Sequence, residues 1–377
     1  VPVLGIKTEK KIFWILLPIF FVFGFLSKQV PSSYIILSAI LVLIIFSLFE
    51  KKYYWLKYSI LSFIFLILFL LIFGKFQGIS LSSFLNQYLL YPQSVGSKRI
   101  ENFVFTFKGT VEHFKFIYVA LIPLFFVNLK KIFFETGYLK NKNFYYFLTL
   151  VLSTSALIVH QILTRNQTFI FFLIPILFAF SHIYLNLYKS SSKDFVSVIL
   201  VLICLFAVFK YHIRFNENRK FHELSYVNFE LASNGKEIDK KFAGLKWITP
   251  DYKNKPSEEI DLINEIKFHL ANDTRTKMVI TNYSFFSSIL NEKLFSPSRW
   301  HISDGTDYPS KNNKYFLNYK NLLISLIKKN NIDVIYMVYP QQSSIIYEYI
   351  DRNCFEEIKI SDMLNSLKLK NCDEING

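Results

Sequence analysis

Seven apolar stretches, each near the length a helix needs to cross a bilayer, constrain this chain more than any other feature. They run Ile12–Ser27, Ser33–Phe49, Tyr53–Gly74, His113–Leu129, Phe144–Leu163, Thr168–Leu187 and Phe195–Phe209. The hydrocarbon core of a bilayer takes about 20 residues of helix. It offers the backbone no water, so a bundle of helices is the expected fold. The first and last stretches are the shortest. Flanking Lys and aromatic side chains can sit at the interface and lengthen them. Pro18, Pro123 and Pro175 fall inside spans, where neighbouring helices tolerate a kink. The 42 Phe and 23 Tyr among 377 residues exceed what a soluble core uses, and 11 Gly with 11 Pro exclude collagen-like or low-complexity chains.

The net charge of +15 is unevenly placed. Residues 1–209 hold 19 Lys and Arg against six Asp and Glu, a balance of +13, and residues 210–377 hold 24 against 22. The excess lies between apolar runs, as in loops joining membrane helices, rather than on a soluble surface suited to nucleic acid. Nucleic acid is set aside, and the bilayer is the partner the charge implies. Twelve of the 19 cations lie in alternate loops: Lys7, Lys10 and Lys11; Lys51, Lys52 and Lys57; Lys130, Lys131, Lys140 and Lys142; Lys189 and Lys193. The positive-inside rule makes that side cytoplasmic. Seven spans then put the C-terminal part outside. The expected architecture is a polytopic α-helical membrane bundle over 1–210, with an amphipathic outer loop at 75–115, followed by a small extracytoplasmic α/β domain over 211–377. A bacterial inner membrane is the expected location.

Beyond Lys210 the pattern changes. Lys277–Thr281 and Ile332–Tyr339 read as buried strands. Tyr283–Leu290, Tyr315–Lys329 and Ser343–Tyr349 read as helices, the second with Leu322, Leu323, Leu326 and Ile327 on one face. Strand, helix, strand predicts a parallel sheet in three layers. No Gly-rich phosphate loop follows either strand. Cys204 reads as a packing residue. Cys354 and Cys372, about 18 residues apart in the tail, are candidates for a disulfide in an oxidising compartment, with two unpaired thiols as the competing reading.

Two places can carry chemistry. In the outer loop, Tyr91–Glu101 offers hydroxyls, backbone donors, Lys98, Arg99 and the Glu101 carboxylate; Arg and Lys suit phosphate, Arg through a bidentate fork. The competing reading is an interfacial anchor facing anionic lipid. The second is His160-Gln161 at the end of the fifth stretch, with Arg165 in the turn that follows. A polar or ionisable group inside a span usually faces a cavity or a partner; otherwise His160 and Gln161 tie helices together and Arg165 reaches the interface. Arg299–His301 with Asp304–Asp307 reads as a surface loop. Its spacing matches no dependable metal site, so no cofactor is assigned and a divalent metal stays open.

This layout resembles the C-terminal portion of integral-membrane glycosyltransferases of the GT-C class, which includes protein mannosyltransferases and bacterial aminoarabinose transferases. The resemblance covers the whole chain in layout. The turn Thr164-Arg165-Asn166-Gln167 is similar in position and character to the family's basic outer turns. It implies transfer of a sugar from a polyprenyl-phosphate donor to an extracytoplasmic acceptor by inversion. Lys98, Arg99 and Arg165 would hold the leaving phosphate, and His160 would line the cavity. The family's acidic catalytic residues lie in the first outer loop. Here Lys28–Ser32 has no carboxylate, so the resemblance puts that group upstream of Val1. The alternative is a non-enzymatic transporter or envelope-assembly protein with a periplasmic recognition domain. Transport is disfavoured by the absence of an internal repeat and by Gly-poor spans.

Overall fold

The computed structural model describes residues 1–95, 104–164, 170–187, 193–217, 224, 226–298, 301 and 307–376. The chain divides into two compact units. One comprises Val1–Leu81 with Ser97–Lys220, the other Ser82–Gly96 with Phe221–Gly377.

The first unit is a helical bundle. Its helices are α1 (Pro2–Thr8), α2 (Lys11–Ser27), α3 (Gln29–Glu50), α4 (Tyr54–Phe76), α5 (Lys115–Phe134), α6 (Lys142–Thr164), α7 (Leu173–Asn186) and α8 (Lys193–His212). Among the described residues, five helices are long and apolar enough to cross a membrane: α3, α4, α5, α6 and the run Asp194–Glu217 that contains most of α8. The other two apolar helices, α2 and α7, have 17 and 14 residues. The last apolar stretch is thus longer than its sequence suggests. The sixth is shorter, because Ile170–Phe172 form turns before α7 begins. Helix α2 packs on α4, α3 on α6, and α7 on both α5 and α8. Trp14, Leu43, Phe46, Ile117, Leu124, Tyr145, Ile174 and Leu177 form the buried centre. Phe65, by contrast, is 75% exposed, and α4 turns nearly all its apolar surface outward. Only an apolar surrounding makes that arrangement stable. At Gly5, any side chain would collide with the Trp14 ring, so glycine lets α1 lie against α2.

Three lysine-bearing loops meet at one end of the bundle. Glu9 pairs with Lys52 at 2.9 Å and stands 3.9 Å from Lys142, whose ammonium donates to the Lys7 carbonyl at 2.9 Å. The alternation of loop charge read from the sequence therefore corresponds to a spatial grouping of these loops.

The second unit is a three-layer α/β structure. Its main sheet has the order β3-β4-β6-β5, from β3 (Lys277–Ile280), β4 (Val334–Val338), β5 (Phe355–Lys359) and β6 (Leu364–Leu369). A small antiparallel pair, β1 (Ser233–Asn234) and β2 (Lys246–Trp247), precedes it. Strands β3 and β4 are parallel, with Met278 opposite Ile335. Strands β5 and β6 add antiparallel, so the sheet is mixed; β5 is exposed beyond Phe355 and β6 interleaves polar residues, so neither shows as an apolar run. On one face, α9 (Pro256–Asn272) and α10 (Phe286–Leu290) cover Val279, Val334, Tyr336 and Val338. On the other, α11 (Phe316–Lys329) and α12 (Ser344–Tyr347) cover Met278, Ile335, Met337 and Leu367. Both strands of the parallel pair are buried along their whole length, as helices on both faces require. A disulfide joins Cys354, before β5, to Cys372, after β6, with the two Cα atoms 5.3 Å apart. The Ser82–Gly96 segment belongs to this unit; Tyr91 meets the Tyr315 ring edge-on at 6.4 Å.

Candidate functional site

Of the residues singled out in the bundle, Lys98, Arg99, Glu101 and Arg165 lie outside the described residues. His160 and Gln161 lie in the last turn of α6, where the 3.6-residue period carries both into the interior at 5% and 3% exposure. The His160 ring faces Tyr34 of α3, centroid to centroid at 6.3 Å, and its carbonyl accepts from the Thr164 hydroxyl at 2.9 Å. Among the described residues of the bundle, Gln161 is set apart by the number of polar atoms it leaves without a hydrogen bond, two where others leave one. Its oxygen and its nitrogen are both sealed from solvent, and neither has a hydrogen-bond partner.

Some other buried polar side chains of the bundle are satisfied, while the Trp14 indole and the Tyr145 and Ser197 hydroxyls each leave a single polar atom without a hydrogen bond among the described residues. Asn128 donates to the Leu124 carbonyl at 2.7 Å and accepts from the Tyr138 hydroxyl at 2.6 Å. Ser181 donates to the Ala120 carbonyl. The Trp55 indole donates to Ser47 at 2.6 Å. A buried amide left without partners costs roughly 1–3 kcal/mol. A group held at that cost, one residue from a buried imidazole, is the bundle's best candidate for meeting a polar ligand.

The second unit holds a polar cluster over the carboxyl ends of β3 and β4, where open α/β sheets commonly bind ligands. At its centre is His301. Its backbone N–H donates to Asn282 Oδ1 at 2.8 Å, just beyond β3, and its carbonyl accepts from Gln341 Nε2 at 2.8 Å, just beyond β4. The side chain is 3% exposed, and neither ring nitrogen makes a well-formed hydrogen bond, although the Thr281 carbonyl lies nearby. Burial pushes the imidazole down to about 4, so it is neutral near pH 7. The surface-loop reading of Arg299–Asp307 therefore fails at His301. Its burial depends on Asn282 and Gln341, 19 and 40 residues away, which no local pattern reveals. The flanking residues Arg299, Trp300 and 302–306 lie outside the described residues. Among the described residues, no three His, Cys, Asp or Glu side chains gather as a metal site would need.

Close by in sequence, Tyr283 takes part in a second buried arrangement. Glu259, in the first turn of α9 and 1% exposed, accepts from Tyr283 at 2.8 Å, Thr249 at 2.8 Å and the Trp247 indole at 3.0 Å. Three neutral donors and the positive end of the helix dipole accommodate the carboxylate without a cation. This fully satisfied set ties β2, α9 and the exit of β3 together, which makes it structural. Comparison of the chain with protein-family models, with curated proteins and with solved structures finds no match.

Proposed function

We propose that this chain is a membrane glycosyltransferase, or part of one, that moves a sugar from a polyprenyl-phosphate donor to an acceptor outside the cytoplasm. The observation that carries the reading is the unpartnered Gln161 amide beside buried His160, at the end of a membrane-length helix and four residues before Arg165. Such a place offers neutral donors and acceptors to a sugar or phosphate oxygen within an apolar surrounding, where each hydrogen bond is strengthened. Lys98, Arg99 and Arg165 are the cations assigned to the leaving phosphate, with Glu101 as a further polar group for the substrate. The bond from the anomeric carbon to the lipid phosphate breaks, the acceptor oxygen or nitrogen bonds that carbon, and the acceptor's proton passes to a carboxylate base.

The topology belongs to the same reading. Counting α2 and α7 as spans gives seven; at 1.5 Å per residue they reach about 26 and 21 Å, and their flanks complete the crossing. With the lysine-rich loops inside, the α/β unit is extracytoplasmic in the inner membrane of a bacterium. The Cys354–Cys372 disulfide supports that side, because such bonds persist in oxidising compartments.

The test is release of polyprenyl phosphate, the product common to every donor sugar and acceptor. The protein encoded by the complete gene is reconstituted with a panel of polyprenyl-phosphate sugars. The Arg99→Ala/Arg165→Ala variant should lose activity by at least 100-fold, as loss of charge stabilisation at a leaving group does. Unchanged turnover in that variant, or no release with any donor, sinks the reading.

A further inference from the structure

At one end of the bundle, two chain segments bring unpaired cations onto one aromatic cluster. Phe171 lies between the edge-on rings of His113 (5.4 Å) and the stacked rings of Tyr211 (4.1 Å) and Phe215 (5.6 Å). Phe116 meets Tyr211 and Phe206 edge-on. The Lys210 ammonium lies 5.5 Å from the centre of the Phe116 ring, the Lys115 ammonium lies 5.9 Å from the same centre, and the Arg214 guanidinium sits 5.3 Å from that of Phe215. The two lysines come from α5 and α8, so the fold has gathered like charges that sequence distance would keep apart.

None of the three cations forms an ion pair among the described residues. The acids nearest in sequence are Glu112, three residues before Lys115 and exposed, and Glu217, three residues after Arg214, which stands 3.8 Å from His212. Lys115 and Lys210 are solvent-exposed, and Arg214 is half-buried. The His113 imidazole, edge-on to Phe171, adds a ring N–H that can donate a hydrogen bond beside the cations. The cluster stands where α5 begins and α8 ends, the boundary depth of a membrane-spanning helix. Rings at that depth suit the head-group layer, and cations held over them meet phosphate there.

We propose that His113, Lys115, Lys210 and Arg214 form a binding site for the phosphate head group of an anionic bilayer phospholipid. The site uses only the membrane-spanning character of the bundle and is independent of sugar transfer. Recognition here is by charge, with the aromatic rings fixing where the cations sit. A zwitterionic head group, whose own ammonium opposes the cluster, binds less well.

The experiment is native mass spectrometry of the full chain released from nanodiscs containing phosphatidylglycerol and phosphatidylcholine. Wild-type protein should retain phosphatidylglycerol in preference. Each cation removed should lower that retention by about five-fold, so Lys210→Gln/Arg214→Gln loses about 25-fold. Lys210→Arg should keep it, and Lys370→Gln, in the α/β unit, should change nothing. Equal retention in the double variant overturns the proposal, as does an equal loss on Lys370→Gln. Inorganic phosphate provides the arm for a free anion. If millimolar phosphate alone stabilises the protein against heat as much as the lipid does, the head-group assignment falls; if it does not, the lipid is the ligand.

Discussion

Gln161 in the bundle and Glu259 in the α/β unit are equally hidden, at 3% and 1% exposure, yet their surroundings are opposite. Glu259 bears the costlier group and has three donors to meet it. Gln161 bears a neutral amide and has no partner. Burial alone therefore says little about role. A buried polar group whose lone pairs and protons are all met holds the fold together, whereas one left open is available to something else.

The largest effect that sharpens this contrast is at Glu259. Glu259→Val leaves three donors facing an apolar side chain and should destabilise the α/β unit by about 2–4 kcal/mol. It is read as lost hydrogen-exchange protection in β3 and β4. A loss under about 0.5 kcal/mol would mean that the donors find other partners and the set is not structural.

Next is the disulfide, which closes a loop of 18 residues. Cys354→Ser should cost about 3 kcal/mol in the same assay. Protection unchanged by the substitution or by reductant would remove it as a staple.

His301 predicts a pH dependence. Its folded value of about 4 lies below the ordinary 6.5, so the unfolded chain binds the proton more tightly. The stabilising effect is complete above about pH 6.5 and is lost progressively as pH falls toward 4. The upper limit is roughly 3 kcal/mol for a displacement of this size. Protection factors in β4 followed between pH 7 and 4 should fall in wild-type protein and flatten in His301→Asn. A slope that survives the substitution would assign the effect to other groups.

The smallest stability effect is expected at Gln161. Gln161→Leu removes two unpartnered polar atoms from an apolar interior and should be neutral or stabilising by up to about 1 kcal/mol, while abolishing polyprenyl-phosphate release. Destabilisation above about 1 kcal/mol would make Gln161 structural like Glu259 and dissolve the comparison.

Much of the architecture was legible in the chain because bilayer crossing imposes a one-dimensional demand. About 20 apolar residues in a row are visible without knowing any contact, and α3, α4, α5 and α6 coincide with four of the stretches so identified. Both strands of the parallel pair were legible for the same reason, since burial on two faces makes them continuously apolar. The β5–β6 hairpin was not, because β5 buries only Phe355 at its start and exposes Glu356, Glu357, Ile358 and Lys359. The site was legible in part. The position of His160 within an apolar run pointed to burial, but the absence of partners at Gln161 depends on which side chains of other helices approach it.

The sequence by itself determined a membrane-length helical bundle, a grouping of lysine-rich loops and a strand–helix–strand unit, because each follows from local composition and spacing. Only the tertiary structure decided which buried polar groups are satisfied. It alone set His301 between Asn282 and Gln341, and Lys115 and Lys210 around Phe116. Those arrangements join residues 19 to about 100 positions apart. Hydrogen bonds and charge interactions act over a few ångströms of space, a distance that chain order does not encode.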